Sequence, residues 1–257
     1  MANELPIIKT PQDFVALFLQ NPEVCGEGLK ELLDVTPDIF SMYVPQVIDK
    51  QTGLLSKDYF EEHELPLALL KARTNEVPLS YFLTDLDGFH NFNEDYGHIM
   101  GDEAIKQVTD LLKKSFRTKN TRQTLDQTLN QEDNTSKSNR MLDHVGRVSM
   151  DYTPQGRVGG GEEFAVILYG CDERNAEIVA NRFLAKIRAL TIPYRIDEAL
   201  SITVSGGISQ YQENMEPRTL IERADRALFY SKDQGKDIVT RFSLVPSDFV
   251  PKPRKRV

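Results

Sequence analysis

The chain has 257 residues, enough to bury a sizeable core in one domain of about 200 residues with an appendage. Its 39 acidic and 31 basic residues give a formal net charge of −8, which argues against a dedicated nucleic-acid-binding surface, because such surfaces are basic. Cys25 and Cys171 are too few for a disulfide framework, and we expect buried free thiols in a reducing compartment. No signal peptide or membrane-spanning stretch is predicted, so we expect a cytoplasmic protein without a membrane partner.

Residues 1–45 have helical character. Thr10 followed by Pro11 is typical of a helix start, and apolar residues then recur at helical spacing in three short runs. The apolar residues are Phe14, Leu17, Phe18, Leu29, Leu32, Leu33, Ile39, Phe40, Tyr43 and Val44. Such faces usually pack on the same chain, and a dimer or sensor contact is the alternative. The sequence therefore predicts a small helical N-terminal segment of unassigned role.

An apolar run that ends in two carboxylates follows. Asp49-Lys50-Gln51-Thr52-Gly53-Leu54 leads into a predicted helix over about 57–73, and then Tyr81-Phe82-Leu83 predicts a buried strand. The strand continues into Asp85-Leu86-Asp87-Gly88-Phe89. A strand-end carboxylate can bind a metal ion or cap the next helix, and capping suits Asp87 better than Asp85.

The stretch Gly97-His98-Ile99-Met100-Gly101-Asp102 precedes an amphipathic helix. The apolar side chains of this helix are Ala104, Ile105, Val108, Leu111 and Leu112. Their helical spacing predicts a face that packs on the core. Taken alone, Asp102 after Gly101 is typical of a helix N-cap.

The pattern breaks over residues 117–142. This stretch is polar, almost free of large apolar side chains and without periodicity, so it predicts an inserted flexible loop. A strand is expected between Val145 and Val158, although Pro154-Gln155-Gly156 interrupts it.

Three glycines and two carboxylates are adjacent in Arg157-Val158-Gly159-Gly160-Gly161-Glu162-Glu163-Phe164, and a predicted buried strand follows over 164–169. Glycine lets a ligand approach the backbone closely. A glycine turn that delivers two carboxylates to a strand end therefore predicts a metal and phosphate site. For this motif alone, a glycine-rich hairpin with two solvated glutamates is the alternative.

The rest of the chain predicts two helices and a strand. Apolar spacing indicates helices over 178–190 and 220–232, with a strand over 201–209 between them. Lys232 and Lys236 are four residues apart and can face a phosphate group together, a solvated face being the alternative. Residues 246–257 form a basic tail, of which we expect 251–257 to be disordered.

These motifs, in this order, resemble those of the GGDEF family, the diguanylate cyclases. Gly160-Gly161-Glu162-Glu163-Phe164 is similar to the GG[DE]EF signature, and residues 85–89 are similar to the D-[IL]-D-x-F segment. Asn93, the GHxxGD match at 97–102 and the AD-x-ALY-x-AK-like run at 224–232 follow in the family's order. The resemblance covers about residues 46–242 and implies a catalytic domain at 46–245.

The resemblance implies an α/β (α+β) fold, a palm-like domain in which a mostly antiparallel central sheet is flanked by helices. It also implies that two GTP molecules condense to cyclic di-GMP with loss of two pyrophosphates. In each step a ribose 3′-hydroxyl attacks the α-phosphorus of the opposite GTP. Since each domain holds one GTP, activity implies a homodimer. Because the attacked group is anionic, a divalent ion, Mg²⁺ or Mn²⁺, is expected.

The resemblance implies roles for individual residues. Asp85, the Leu86 carbonyl, Glu162 and Glu163 are the implied metal ligands, and Asp85, Glu162 and Glu163 are the implied catalytic residues, with Glu163 as ligand or proton acceptor. Asp102 and Asn93 are implied to read guanine, whose N1–H and N2–H₂ form a donor pair that adenine lacks. The remaining implied GTP-binding residues are Phe89, His90, Gly160, Gly161, Lys232 and Lys236.

Several positions depart from the family's pattern. Gln51 replaces the family's usual leucine, His90 its lysine, Glu94 its aspartate and Lys236 its arginine. The last change removes the bidentate guanidinium group of the arginine. Gly159 is an additional residue, so Arg157 lies one position further from the signature than the family's arginine. Both metal carboxylates are retained, so these departures bear on rate and affinity more than on the type of reaction.

The family's product-inhibition site is an R-x-x-D motif whose aspartate lies six residues before the first signature glycine. Asp151 and Pro154 stand at those places here. Arg140-Met141-Leu142-Asp143 matches the R-x-x-D motif but lies at the wrong distance from the signature. Arg147 and Asp151 do not have the spacing of the motif. We therefore expect no such site.

The main interpretation is a Mg²⁺-dependent diguanylate cyclase. The alternative, from another class, is a degenerate domain that binds GTP or cyclic di-GMP as an effector and regulates a partner protein without turnover. A cyclase for a mixed or other cyclic dinucleotide is a third interpretation, which Asp102 disfavours.

Overall fold

A computed structural model describes residues 47–116, 155–159 and 161–251. The predicted helical segment at 1–45, the predicted insert at 117–142 and Gly160 lie outside the described residues. So do the R-x-x-D candidates around Arg140, Arg147 and Asp151, the end of the basic tail, and Cys25. The other cysteine, Cys171, is a buried thiol that forms no disulfide with any described residue.

The helix predicted over 57–73 forms, but it has a wider turn in its middle. It consists of α1 (Lys57–Tyr59), a π-helical segment (Phe60–Glu64) and α2 (Leu65–Thr74), which follow without a break. The hydroxyl of Ser56 caps its start by accepting from the Tyr59 N–H. The first predicted strand follows it in the chain.

The other elements alternate between helix and strand. They are β1 (Leu79–Leu86), α3 (Phe89–Tyr96), α4 (His98–Ser115), β2 (Gln155–Gly159), β3 (Glu163–Tyr169), α5 (Glu173–Arg188), β4 (Ile192–Arg195), β5 (Glu198–Leu200), β6 (Val204–Gln210), α6 (Pro217–Asp233) and β7 (Val239–Arg241). Within the described part of the chain, none of these helices is both long enough and apolar enough to cross a membrane.

The central sheet has the strand order β2-β3-β1-β6-β7. β1 lies antiparallel to both β3 and β6, β2 lies antiparallel to β3, and β6 and β7 form the one parallel pair of this sheet. The predicted fold, a mostly antiparallel sheet flanked by helices, is confirmed. The sequence pattern does not predict the separate β4–β5 hairpin, because its strands are short and largely exposed.

Both faces of the sheet are covered, and β1 is buried along its whole length. Its side chains alternate as those of a strand must. Phe82 and Leu86 pack with α3, α4 and α5 on one face, whereas Tyr81 and Leu83 pack with α2 and α6 on the other. At Gly207 the sheet approaches α6 closely, since a Cβ there would lie 2.1 Å from the Ala224 carbonyl oxygen. The acidic end of β1 is thus held between two packed layers.

Phe116 and Gln155 are the described residues on either side of the gap at 117–154, and they are in contact. The Gln155 side-chain amide donates to the Phe116 carbonyl oxygen. The Leu55 N–H donates to the Gln155 carbonyl at 3.2 Å, and the Arg157 N–H donates to the Leu55 carbonyl at 3.0 Å. Hence Phe116 and Gln155 are fixed side by side, and the described part of the expected strand is β2, Gln155–Gly159.

Candidate active site

The sheet brings the two acidic motifs together where β1 ends and β3 begins. In the antiparallel pairing of β1 with β3, Asp85 lies directly opposite Glu163. The Leu86 N–H donates to the Glu162 carbonyl oxygen at 3.3 Å. Residues directly opposite each other on antiparallel strands have Cβ atoms about 4.5–5.5 Å apart on the same face. Two of the predicted acidic residues therefore lie within reach of one ligand.

A lysine from α6 reaches the same carboxylate. The Lys232 Nζ lies 2.6 Å from Asp85 Oδ1, and the Asp85 side chain is only 7% exposed. Burial raises the pKa of Asp85 to about 6, with Lys232 opposing the shift and Glu163 and Glu162 adding to it. The raised pKa of this carboxyl thus reports burial that one lysine does not fully offset.

These groups border an open cavity of about 420 Å³. The residues that line it are Asp85, Leu86, Gly88, Phe89, His90, Glu162, Phe229, Lys232, Asp233 and Phe249. Six of them belong to the predicted site. Glu163 is not among the lining residues but stands beside the cavity through its pairing with Asp85.

One wall of the cavity is the start of α3. Gly88, with a φ of 69°, turns the chain from β1 into this helix, and no side chain of the described residues caps its N-terminus. The first backbone N–H groups of a helix have no intrahelical partner and attract anions. His90 points to Glu94 on the next turn, with Nε2 3.5 Å from the carboxylate. The wall thus offers backbone donors suited to a phosphate group.

A second cluster lies where α3 packs on α4. A Cβ at Gly101 would stand 1.9 Å from Asn93 Oδ1 and 3.1 Å from Phe89 Cζ, so only glycine leaves room for the asparagine. Asn93 Oδ1 is buried and has no hydrogen-bond partner among the described residues. Phe89 contacts this cluster and also lines the cavity, so it joins the two parts of the site.

Asp102 is not a helix N-cap. α4 begins at His98 after Gly97, which places Asp102 in the second turn of the helix. Its exposed side chain accepts a hydrogen bond of 2.6 Å from Gln51 Nε2. The N-cap alternative is therefore wrong, and the carboxylate is available on the surface next to Gly101.

The capping role expected for Asp87 is also wrong. Its carboxylate accepts hydrogen bonds from the Thr203 hydroxyl at 2.8 Å, the Ser205 hydroxyl at 2.6 Å and the Asp237 N–H at 3.0 Å. These donors lie around β6 and in the turn before β7, which brings them to the end of β1. Asp87 therefore fastens the end of the central strand rather than the next helix.

The additional glycine of the signature is absorbed as a β-bulge. Arg157 pairs with Phe164 and Gly159 pairs with Glu163, so Val158 is the extra residue on β2. The Arg157 side chain then reaches the Gly161 carbonyl oxygen with Nε at 3.0 Å and Nη2 at 2.8 Å. Gly161 has a φ of 93°, as the turn requires.

Arg157 also holds the turn that opens the domain. Its Nη1 lies 3.1 Å from Asp49 Oδ1. Although burial raises the pKa of Asp49, hydrogen bonds from Thr52 and Arg157 lower it below its ordinary value. The signature turn and residues 49–54 are therefore tied to each other by one largely buried guanidinium.

Lys236 does not share a helix face with Lys232. α6 ends at Asp233, and Lys236 lies in the following turn with a φ of 67°. It is exposed and does not line the cavity. The spacing argument for a joint action of the two lysines therefore does not apply, and a phosphate contact by Lys236 stays a prediction.

Two aromatic residues of the cavity were not predicted. Phe229 stands three residues before Lys232 on α6, so helical spacing could have placed it beside the lysine. Phe249 comes from the segment assigned to the basic tail, and no sequence pattern predicts its place in the cavity wall. Arg226 Nη2 holds this segment by donating to the carbonyls of Pro246, Ser247 and Phe249.

The structure defines an α+β domain with an acidic cavity at the end of its central strands, and comparison with known proteins identifies its family. The model of the family described as "Diguanylate cyclase, GGDEF domain" matches residues 46–128 and 144–238. The chain belongs to the GGDEF family.

Among curated relatives, an uncharacterized protein, YhcK, of Bacillus subtilis (strain 168) is 29% identical over 203 residues, which cover 78% of this chain and 47% of that protein. Diguanylate cyclase A of Treponema denticola is 29% identical over 163 residues, which cover 63% of this chain and 34% of that protein. The chain thus spans half or less of the length of these relatives. The GGDEF domain of DgcB from Caulobacter crescentus, solved in complex with c-di-GMP, is 25% identical with a TM-score of 0.59, covering 76% of this chain and 93% of that one.

Proposed function

We propose that the protein is a metal-dependent diguanylate cyclase that condenses two GTP molecules into cyclic di-GMP and two pyrophosphates. The observation that carries the proposal is the pairing of Asp85 with Glu163 beside a cavity that also presents Lys232 and the start of α3. Carboxylates, a lysine and free backbone N–H groups are together the partners that a metal-bound triphosphate needs.

The donor set fits a magnesium or manganese ion. Among the described residues, no three acidic, histidine or cysteine side chains stand close enough to hold an ion alone. Mg²⁺ does not need such a cage, because it uses one or two carboxylates and completes its shell with phosphate oxygens and water. Asp85 and Glu162 would hold it, with Glu163 and the Leu86 carbonyl beside them. When bound, the ion would neutralise phosphate charge and lower the pKa of the attacking hydroxyl.

The chain's own groups supply the remaining functions. In each step, a bond forms between the ribose 3′-oxygen and the α-phosphorus, and the bond from this phosphorus to pyrophosphate breaks. Glu163 is our candidate to accept the proton of the 3′-hydroxyl. Lys232 and the N–H groups of Phe89 and His90 would bind the phosphates.

Guanine would be bound at the second cluster. Asp102 offers a carboxylate that accepts from N1–H and N2–H₂, and Asn93 offers an amide whose oxygen has no partner in the described part of the protein. Phe89 contacts both this cluster and the phosphate end. One chain thus offers a site for one GTP, so turnover requires two chains that face each other as a homodimer.

The alternative function is a domain that binds GTP or cyclic di-GMP and regulates a partner protein without turnover. The observation that favours it is the weakened phosphate end. His90 stands where the family has lysine and is engaged with Glu94, and Lys236 lies beyond the end of its helix. Binding could persist with these changes, because Lys232 and the start of α3 are retained.

The deciding experiment incubates the purified protein with GTP and MgCl₂ and separates the products by chromatography. We expect cyclic di-GMP and pyrophosphate, and we expect Asp85→Ala and Glu162→Ala to abolish both. Glu198→Ala, at an exposed position on β5, is the matched control and should retain turnover. Wild-type protein that binds GTP with metal but forms no product would support the regulatory alternative. Adding ATP to the mixture tests for mixed cyclic dinucleotides.

A further inference from the structure

The side chain of Gln51 is held at both ends. Its Oε1 accepts from Arg157 Nη1 at 2.8 Å, and its Nε2 donates to Asp102 Oδ1 at 2.6 Å. These three residues are far apart in sequence, at the opening turn, on β2 and on α4. A leucine, which the family usually has at this position, could form neither bond.

The chemistry of the two neighbours fixes the orientation of the amide. A guanidinium only donates and an ionised carboxylate only accepts, so the Gln51 oxygen must face Arg157 and its nitrogen must face Asp102. Arg157 is itself immobilised, since it donates to the Gly161 carbonyl and to Asp49, and its side chain is only 15% exposed. The amide therefore extends from a fixed anchor.

Resting on the proposed function, we propose that Gln51 is a positioning residue for guanine recognition, which holds the Asp102 carboxylate in the orientation that a guanine edge requires. An ionised carboxylate has about four acceptor positions, and Gln51 uses one of them on Oδ1. The remaining positions on both oxygens are left for N1–H and N2–H₂. Because Asp102 is exposed and Gln51 is its one hydrogen-bond partner described in the structure, the amide is what limits its rotation.

The consequence is a selective effect on guanine nucleotides. Without Gln51, binding of guanine must also fix the Asp102 side chain, which on the scale of one immobilised side chain weakens affinity by about 2- to 10-fold. Adenine nucleotides make no paired donation to Asp102, so their affinity should not change. The preference for GTP over ATP should therefore fall by the same factor.

The test uses the full chain with MgCl₂ and the α,β-methylene analogues of GTP and ATP, which bind without releasing pyrophosphate. Calorimetry gives the ratio of the two dissociation constants for wild type, Gln51→Leu and Gln51→Glu. The glutamate variant keeps the acceptor for Arg157 but presents like charge to Asp102, so it should lose at least as much preference as the leucine variant. Gln212→Leu, which removes a comparable exposed contact with Arg223, is the matched control and should keep the ratio.

A double-mutant cycle separates positioning from a general effect on the fold. If Gln51 acts through Asp102, Gln51→Leu should have no further effect on the ratio in an Asp102→Ala background, which has no acceptor for the Gln51 amide. Additive losses, or an unchanged ratio in Gln51→Leu alone, would overturn the inference while leaving the proposed function standing. A wild-type protein that binds neither analogue would overturn both. Thermal unfolding of each variant should stay close to wild type, because Gln51 is on the surface.

Discussion

Replacing Asp85 by asparagine should stabilise the metal-free protein, and the gain should depend on pH. The carboxyl is buried, and its pKa is raised from 3.8 to about 6. Because the folded-state pKa lies above the unfolded one, this carboxyl contributes most favourably when protonated, below about pH 3.8. That contribution is lost as the pH rises through about 6. A pKa raised from 3.8 to about 6 corresponds to roughly 3 kcal/mol at pH 8.

Asparagine imitates the protonated carboxyl at every pH, so the stability difference between variant and wild type isolates this one group. We expect Asp85→Asn to exceed wild type by up to roughly 3 kcal/mol near pH 8, and by about half as much near pH 5. The assay is urea unfolding followed by circular dichroism in the presence of EDTA. Asp110→Asn, at an exposed position on α4, is the control and should show no such trend.

The refuting result is a stability difference that stays constant between these two pH values. A wild type that is the more stable protein near pH 8 would also contradict the reasoning. Adding MgCl₂ should reduce or reverse the difference, because a ligand that binds the native state of one protein stabilises that protein alone. Asp85 would then lower the stability of the metal-free fold and provide a ligand for the metal ion.

Three further predictions concern packing and the insert. Replacing residues 118–153, which include most of the predicted insert, by a Gly/Ser linker of about six residues should raise the unfolding free energy by about 1–2 kcal/mol. The reason is that closing a shorter loop costs less conformational entropy. A loss of folding would show that the replaced residues are structural. Gly101→Ala should displace Asn93, whose Oδ1 would be 1.9 Å from the new Cβ, and should weaken GTP binding about tenfold by titration, whereas unchanged affinity would separate Asn93 from the base. Gly207→Ala should lower stability by about 1–3 kcal/mol or more in thermal unfolding, because the new Cβ meets the α6 backbone; a neutral result would mean that α6 shifts freely.

The elements that the sequence predicts are those with strong local patterns. β1 has a continuous apolar run, and α4, α5 and α6 have amphipathic spacing, so each of them forms, although α4 and α5 begin about one turn or more before the predicted start. The β4–β5 hairpin has no such pattern and is not predicted. The meeting of Asp85 with Glu163 follows from the family resemblance, because strand order cannot be read from periodicity.

The remaining features of the site depend on contacts between distant segments. The role of Asp87 could not be predicted, because its donors come from β6 and from the turn before β7. In the sequence, the additional Gly159 makes Arg157 look misplaced relative to the signature. The bulge at Val158 shows how the structure accommodates the extra residue. Gln51 reads only as a departure from a motif, because its two partners are far away in sequence.

The position of the C-terminal segment affects how the protein should be used in ligand discovery. The family match ends at residue 238, but β7 completes the sheet beyond it and Phe249 forms part of the cavity wall. The Phe249 ring packs edge-on against Tyr230 at 5.0 Å, and Arg226 binds the carbonyls around it. A fragment cut at the family limit would present a wider, wetter cavity, so compounds ranked on it would be selected for a surface that the intact chain does not have.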